Sequence, residues 1–392
     1  MARRRAAMGI GDVLARCAAG RTHVLLAEAP GDWTLRALVE RRMLSLGWCP
    51  ALSPADADVL AVCGIGGGPE FAGNVDLIWD QMPGPRARIE VGDAEAVDSA
   101  LNRAATELLD TRRQRRDAAQ RSRSVDRWLG DGSAAAESPG GHHHSTGHDM
   151  GHGSHQHMDH PGMDMAPRGI ALAEGGQDRD GLEMDVLHLS LGPVLAHWPS
   201  GLVLRCSLQG DVIADAEAWA IDADRSVFVP AAEQPAPLVA ARECDHIVDL
   251  LALAGWPSAA DHARQIRDLL LDESAPVDHA QLKLERLLRT LRRSWLLRWS
   301  LRDLAPLSVG DLERYRLPAA LAGDSYDRLL ARVDHALAAL SNGLAASPIR
   351  ADFSAVSGAL PGFVCGLEVA TARLVVASLG IDITATGPCS HG

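Results

Sequence analysis

Ser53-Pro-Ala-Asp-Ala-Asp-Val-Leu-Ala-Val-Cys-Gly64 is the stretch that decides the fold of the first part of the chain. Within it, Ala57 to Cys63 is a short apolar run between turn residues, which is typical of a strand buried on both faces. Gly64-Ile-Gly-Gly-Gly-Pro69 follows as a turn, and residues 70–80 then have helical spacing of apolar side chains. The stretch therefore predicts one strand–turn–helix unit of a parallel sheet.

The same alternation extends to both sides of this unit. Residues 23–28 predict a first strand, 34–46 a helix after the turn at 29–32, 86–91 a third strand and 93–117 a closing helix. Strands that alternate with helices predict a parallel α/β sheet. We therefore expect a flavodoxin-like α/β domain over residues 20–117.

The glycine-rich loop 64–69 lies between a strand and a helix, where phosphate-binding loops are found. Its sequence is neither a complete G-x-G-x-x-G nor a Walker A motif. Two interpretations stay open from the residues alone: a ligand site and a tight turn.

Residues 118–182 are poor in apolar side chains and rich in Gly, Ser, Arg and His, which predicts a disordered linker. Residues 183–392 then predict a mainly α-helical α+β domain. Its strands are expected at 184–191 and 201–214, with a hairpin turn at Gln209-Gly210. Its helices are expected at 237–253, 258–271, 278–303, 324–344 and 366–380. Arg286, Arg289, Arg292 and Arg293 form either a solvent face or a docking face for an acidic partner.

A His/Met tract, residues 142–165, lies in the middle of the linker. Eight of the chain's 16 histidines fall between His142 and His160. The candidate metal ligands are His142, His143, His144, His148, Met150, His152, His155, His157, Met158, His160, Met163 and Met165. Imidazole and thioether groups suit copper and nickel, and the irregular spacing predicts several sites of modest affinity. A polar linker that binds metal incidentally is the alternative.

Composition narrows the classes of function. The net charge of −13 argues against a nucleic-acid binder. The seven cysteines contain no C-x-x-C pair, and the N-terminus lacks the continuous apolar segment of a signal peptide. The longest apolar runs are interrupted by charged residues, so we expect no transmembrane segment. These features predict a cytoplasmic protein with reduced thiols.

Two stretches resemble neighbouring subunits of one enzyme family. Residues 53–64, followed by Trp79-Asp-Gln-Met-Pro-Gly-Pro-Arg86, resemble the NADH:quinone oxidoreductase (complex I) subunit that carries the terminal iron–sulfur cluster. Leu189-Ser-Leu-Gly-Pro193 and residues 201–212 resemble the opening hairpin of the quinone-pocket subunit, a relative of the hydrogenase large subunit. Gly323-Asp-Ser-Tyr-Asp-Arg328, with Arg332 after it, and residues 377–383 are similar to later segments of that subunit. The resemblance implies that the two domains can pack against each other.

The family's functional residues do not carry over. The cluster subunit has four cysteine ligands, including an adjacent pair, and this chain has no Cys-Cys pair. In the quinone subunit's opening motif, Leu195 and Pro199 replace two histidines, and His197 is out of register. Neither tyrosine of the chain matches the family's quinone-facing tyrosine. Cys389 and His391 are a weak match to a hydrogenase C-terminus. An iron–sulfur cluster is therefore not expected, and no catalytic residue is assigned.

Three functions remain from the sequence. The first is a non-catalytic complex I- or hydrogenase-like fusion protein with a scaffold, assembly or accessory role and a metal-binding linker. The second is a copper or nickel metallochaperone or buffer. The third is an active NADH:quinone oxidoreductase or hydrogenase-type subunit. The first implies other subunits of such an assembly as partners and a peripheral position on a membrane complex.

Overall fold

The computed structural model describes residues 21–131, 174–177, 183–222, 234–342, 349 and 353–383. The first part of the chain forms a parallel four-stranded sheet with strand order β2-β1-β3-β4. Its elements are β1 (His23–Glu28), α1 (Trp33–Ser45), β2 (Cys49–Pro50), a 3₁₀ turn (Pro54–Asp56), β3 (Val59–Cys63), α2 (Pro69–Gln81), β4 (Ala87–Val91), α3 (Ala96–Leu109) and α4 (Thr111–Asp131). The predicted parallel α/β architecture is confirmed.

The central strand β3 is buried along its whole length. One face of the sheet packs on α1 and α3, where Val39 and Leu101 meet Val59. The other face packs on α2, and Val203 and Ile221 from the second part of the chain join it. A strand covered on both faces has to be apolar throughout, which is why residues 59–63 show no alternation.

The second part begins with an antiparallel sheet of strand order β5-β6-β7-β8. These strands are β5 (Glu174–Gln177), β6 (Glu183–Leu191), β7 (Leu202–Gln209) and β8 (Val212–Ala220). The predicted hairpin turn lies at Gly210, where φ is +65° and glycine is favoured.

A helical region follows this sheet. Its helices are α5 (Ala236–Leu253), α6 (Pro257–Leu270), α7 (Val277–Arg293), α8 (Trp295–Leu301), α9 (Val309–Tyr315), a 3₁₀ turn (Ala319–Leu321), α10 (Ser325–Asn342), α11 (Phe353–Val364) and α12 (Val369–Leu379). Helices α5, α6, α7 and α10 share one core, and α11 and α12 pack with β7 in a second core. Among the described helices, none is long and apolar enough to cross a bilayer.

Several boundaries differ from the sequence predictions. Strand β2 was not expected, because it has only two residues and ends in proline. The predicted closing helix is two helices, and α4 and β5 both enter the segment that we predicted as a disordered linker over 118–182. The predicted helix 278–303 is interrupted at Ser294, whose hydroxyl accepts a hydrogen bond from the Leu297 amide (3.2 Å) and so begins α8.

Candidate functional site

A cavity of about 110 Å³ lies between the parallel sheet and the helical region. We call it the interdomain pocket. Its walls come from β1, from Arg36 and Glu40 of α1, from the loop 193–200, from α5, and from the end of α12. It therefore combines residues from the α/β part and from the second part of the chain.

Beside this pocket, four side chains form what we call the interdomain ionic cluster: Arg36 and Glu40 of α1, Asp245 of α5 and Arg267 of α6. Arg36 Nη2 lies 2.5 Å from Asp245 Oδ2. Arg267 Nη1 lies 2.8 Å from both Glu40 Oε2 and Asp245 Oδ1. Carboxylates and guanidiniums from the two parts of the chain thus alternate in one connected network.

The cluster is deeply buried, which sets its energetics. The Arg267 side chain is 0% exposed and that of Asp245 is 2% exposed. Moving such charges out of water is costly, and the cost is offset only while each charge keeps its partners. The network therefore fixes the relative position of α1, α5 and α6 more than it adds net stability.

The protonation states follow from these surroundings. Burial alone would raise the pKa of Glu40, but the guanidiniums of Arg267, Arg36 and Arg264 outweigh it and lower that pKa to about 2. Burial also opposes ionisation of Asp245, yet Arg36, Arg267 and Arg242 hold the pKa of this carboxyl well below its usual range. The acids of the cluster are therefore ionised at neutral pH.

Glu28 at the end of β1 behaves in the opposite way. Its Oε2 accepts a hydrogen bond from Arg36 Nε at 2.6 Å. Burial nevertheless raises the pKa of Glu28, and the neighbouring Arg36 and Arg242 offset the effect only in part. The pKa of Glu28 is thus raised, whereas the pKa values of Glu40 and Asp245 on the same pocket wall are lowered.

The loop 193–200 contributes both of the residues that replace family histidines. Leu195 and Pro199 line the pocket, so the substitution places apolar groups there. His197, out of register in the sequence, also reaches the pocket wall, and its Nδ1 lies 3.0 Å from Asp249 Oδ1. Its φ of +56° belongs to the left-handed region, which non-glycine residues seldom adopt.

The glycine-rich loop is a contact between the two parts of the chain. The Asp222 carboxylate accepts hydrogen bonds from the amides of Gly68 (3.0 Å), Glu70 (3.1 Å) and Phe71 (3.2 Å) at the start of α2. In return, the Asp222 amide donates to Glu70 Oε2 at 3.0 Å. A carboxylate from the second part of the chain occupies the position that a phosphate would take. The tight-turn interpretation fits this arrangement, which we call the Asp222 latch.

Arg328, in the segment 323–328 that resembles the quinone-pocket subunit, and Arg332 after it both have structural roles. Arg328 donates to the carbonyls of Gly323 (2.8 Å) and Ala305 (2.9 Å), and its burial lowers the pKa of the guanidinium to about 10. Arg332 Nη1 lies 2.7 Å from Glu243 Oε2 of α5. Both arginines therefore tie α10 to its neighbours.

The family's tetracysteine cluster does not fit the described cysteines. In the parallel sheet, Cys49 pairs with His23 at the first residue of β1, and Cys63 pairs with Glu28 at its last. Five residues of strand put these positions about 16 Å apart along the sheet. Cys63 lies in the core, where burial raises the pKa of its thiol and disfavours the thiolate that binds metal.

The sequence-predicted metal ligands, the His/Met tract at 142–165 and the pair Cys389 and His391, lie outside the described residues. Within the described ranges, no group of three or more His, Cys, Asp or Glu side chains is arranged to hold a metal ion.

Sequence reasoning missed the ionic cluster and the Asp222 latch. A partial signal was present: Arg36 and Glu40 carry opposite charges four residues apart in one helix, and Asp245 lies within a helix most of whose residues are buried. Their partners are more than 200 residues away in the chain, so no local pattern pairs them.

No family model matches this chain, and no curated protein matches it. Among solved structures, it is similar to a chain of the membrane-bound sulfane sulfur reductase, an archaeal respiratory membrane complex. The identity is 12% and the TM-score is 0.32, over 50% of this chain and 96% of that chain. The similarity to a component of a respiratory membrane complex is therefore distant.

Proposed function

We propose that this chain is a non-catalytic, complex I- and hydrogenase-like fusion protein, in which two degenerate subunit-like domains form one scaffold or accessory component of such an assembly. The interdomain ionic cluster is the observation that carries the proposal. It joins α1 of the first domain to α5 and α6 of the second through buried charges that each need their partners. An interface of this kind holds one geometry, which is what a scaffold requires.

The chemistry beside that interface supports the same proposal. Where the quinone-pocket subunit has histidines, Leu195 and Pro199 offer no side-chain hydrogen bond to a quinone oxygen. Cys63 and Cys244 are buried thiols whose pKa values are raised by burial, so they act as core residues. The two parts of the chain pack together, and the groups for electron transfer are missing from their family positions.

The proposal is tested by co-expressing the chain with the remaining subunits of the complex I-like or hydrogenase-like assembly encoded in the same genome. We expect a stoichiometric complex on gel filtration, and we expect the Asp245→Asn variant to lose it. A chain that stays monomeric beside every such subunit would contradict a scaffold role.

A separate measurement addresses the oxidoreductase alternative. After anaerobic reconstitution with iron and sulfide, we expect no stoichiometric cluster signal in visible absorbance or electron paramagnetic resonance. We also expect no quinone reduction. A stoichiometric cluster signal would instead support an active NADH:quinone oxidoreductase or hydrogenase-type subunit.

A copper or nickel metallochaperone or buffer is the second candidate, and the composition of the His/Met tract favours it. In that case the folded domains would dock on a metal-receiving target. Metal content separates the candidates: several equivalents of copper or nickel in the purified protein, together with no stable subunit complex, would favour the metallochaperone.

A further inference from the structure

Helix α8 presents an exposed apolar surface on the helical region. Leu297 and Leu301 are buried and anchor the helix in the core. On its outer side, Trp295, Leu296 and Trp299 are 73%, 63% and 69% exposed. The two indole rings are stacked one turn apart, with centroids 6.5 Å apart and planes inclined by 18°. Large apolar groups grouped in this way favour contact with a partner surface.

Arginines are concentrated near these rings in the chain. The segment 286–302 contains six arginines and no Asp or Glu, although the chain as a whole has a net charge of −13. The arginines are Arg286, Arg289, Arg292, Arg293, Arg298 and Arg302, and all six are exposed. We call this basic and aromatic surface of α7 and α8 the Arg/Trp patch.

Most of this positive charge is not neutralised within the described residues. Of the six arginines, Arg292 alone forms an ion pair with a described carboxylate, that of Asp334 at 3.1 Å. Arg298 lies over the Tyr326 ring, 5.4 Å from its centroid, and keeps its charge. Glu285 and Asp303 are the acidic residues that flank the segment in the chain. The patch therefore carries a net positive charge beside an apolar surface.

We propose that the Arg/Trp patch binds the surface of an anionic phospholipid bilayer. Indole rings favour the headgroup region of a membrane, and arginines beside them gain free energy from anionic lipids. A rigid protein partner would have to place one carboxylate opposite each of several arginines, because a desolvated and unpaired charge is costly. Mobile anionic headgroups supply those charges without such a fixed arrangement, so charge complementarity favours a lipid surface.

This inference goes beyond the proposed scaffold function and does not depend on it. The patch lies on α7 and α8, whereas the interdomain ionic cluster involves α1, α5 and α6. A chain that binds bilayers without joining any assembly, or one that joins an assembly without binding bilayers, would separate the two proposals.

The experiment is vesicle flotation of the full chain with phosphatidylcholine vesicles that contain or lack phosphatidylglycerol. A chelator is present, so that metal on the His/Met tract cannot bridge the protein to phosphate groups. We expect flotation with anionic vesicles, little with neutral ones, and loss of binding in about 1 M salt because exposed charges are then screened.

Two variants test the patch, each with a matched control. Arg289→Glu with Arg293→Glu should lower the partition coefficient at least about tenfold, because each basic residue near an anionic surface contributes to binding. Trp295→Ala with Trp299→Ala should also lower it at least about tenfold, because both indole rings that favour the headgroup region are removed. The apolar control is Ile65→Ala with Leu77→Ala, at residues 86% and 61% exposed. The charge control is Arg103→Glu with Arg112→Glu, at exposed residues of α3 and α4. Both controls should stay within about twofold of the wild-type coefficient.

Circular dichroism and thermal midpoints confirm that all variants are folded. Undiminished flotation of both patch variants would overturn the proposal and assign binding to other basic segments. Failure of the wild-type chain to float with anionic vesicles would also overturn it, and would leave the patch as a surface for a protein partner.

Discussion

Arginines occur in two contrasting settings in this molecule: the interdomain ionic cluster and the Arg/Trp patch. In the cluster, Arg36 and Arg267 are enclosed with Glu40 and Asp245, and every guanidinium has carboxylate partners. In the patch, Arg286, Arg289 and Arg293 are exposed and have no described carboxylate partner. Burial explains the difference, because a guanidinium out of water needs counter-charges or hydrogen-bond acceptors from the protein and one in water does not. Buried arginines therefore define geometry here, and exposed ones remain available for binding.

The largest expected effect is the loss of Asp245. Asp245→Asn removes the buried carboxylate that contacts all three of Arg36, Arg242 and Arg267. We expect a destabilisation of about 3–5 kcal/mol, the usual cost of removing one partner of a buried pair. Urea unfolding at neutral pH measures it.

The matched control is Asp98→Asn, which breaks the exposed ion pair with Arg42. Because exposed pairs contribute little, the control should cost less than about 1 kcal/mol.

The same variants can be compared after limited proteolysis, which we expect to cut between residues 120 and 182. The two wild-type fragments should stay associated and those of Asp245→Asn should separate. Equal losses of stability in Asp245→Asn and Asp98→Asn would show that the buried ion pairs contribute no more than the exposed one.

The next largest expected effect is a decrease in the free energy of unfolding at acidic pH. The pKa of Glu40 is lowered from 4.5 to about 2 in the folded state. The contribution of the ionised Glu40 carboxylate to the free energy of unfolding is therefore complete above pH 4.5 and is lost as the pH falls toward 2. Since one pKa unit corresponds to about 1.4 kcal/mol, this loss amounts to about 3 kcal/mol.

Unfolding midpoints at pH 5, 4 and 3 measure this loss, and Glu40→Gln should give a flatter pH dependence than the wild-type chain. The pKa of Glu28 is shifted in the opposite direction, so its effect on the pH dependence of stability is also opposite. Its folded pKa is raised, so its contribution is complete below pH 4.5 and is lost as the pH rises through the folded value. A Glu28→Gln variant should therefore gain relative stability at neutral pH. Parallel curves for Glu40→Gln and the wild type would show that Glu40 does not report on the cluster.

The Asp222 latch should have a smaller effect. Asp222→Ala removes the acceptor for three amides at the start of α2 and one contact between the domains. We expect a loss of about 1–2 kcal/mol, the upper part of the range for helix N-caps. Asp93→Ala is the control, because Asp93 accepts a hydrogen bond from the Ala96 amide (2.8 Å) within a single domain. Thermal midpoints that fall no further for Asp222→Ala than for Asp93→Ala would argue against an interdomain role.

The smallest effect on stability is expected from deletion of residues 142–165, because a segment so poor in apolar side chains has little to bury in either core. The deletion should nevertheless abolish uptake of several equivalents of copper or nickel, measured by calorimetry. Wild-type binding should fall steeply from about pH 7 to 5 as the imidazoles gain protons, and Cu(I) should be retained better than Ni(II) because thioethers do not titrate. Equal metal uptake by both proteins would place the site elsewhere, with Cys389 and His391 as the next candidates to substitute.

Local patterns accounted for much of the fold. The buried run at 57–63, the turn after it and the spacing in 34–46 predicted a parallel sheet, because such patterns depend on neighbours in sequence. The two-residue strand β2 and helix α9 were missed, since so few residues leave no periodicity to detect. Helix α11 was missed as well, because Gly358, Pro361 and Gly362 within it are residues that usually interrupt a helix. The break at Ser294 was missed for a related reason: apolar spacing continues across it, and one hydroxyl hydrogen bond decides where α8 begins.

The sequence by itself determined the class of the first domain, the degenerate cysteine pattern and the concentration of metal-binding side chains at 142–165. Those properties depend on residue type and local spacing. Only the tertiary structure decided that Asp222 occupies the start of α2, that Arg36 meets Asp245, and that Trp295 and Trp299 remain exposed. The first two are contacts between residues far apart in the chain, and the third depends on how the helices pack. The energies of such contacts depend on burial, and burial exists only once the domains have packed together.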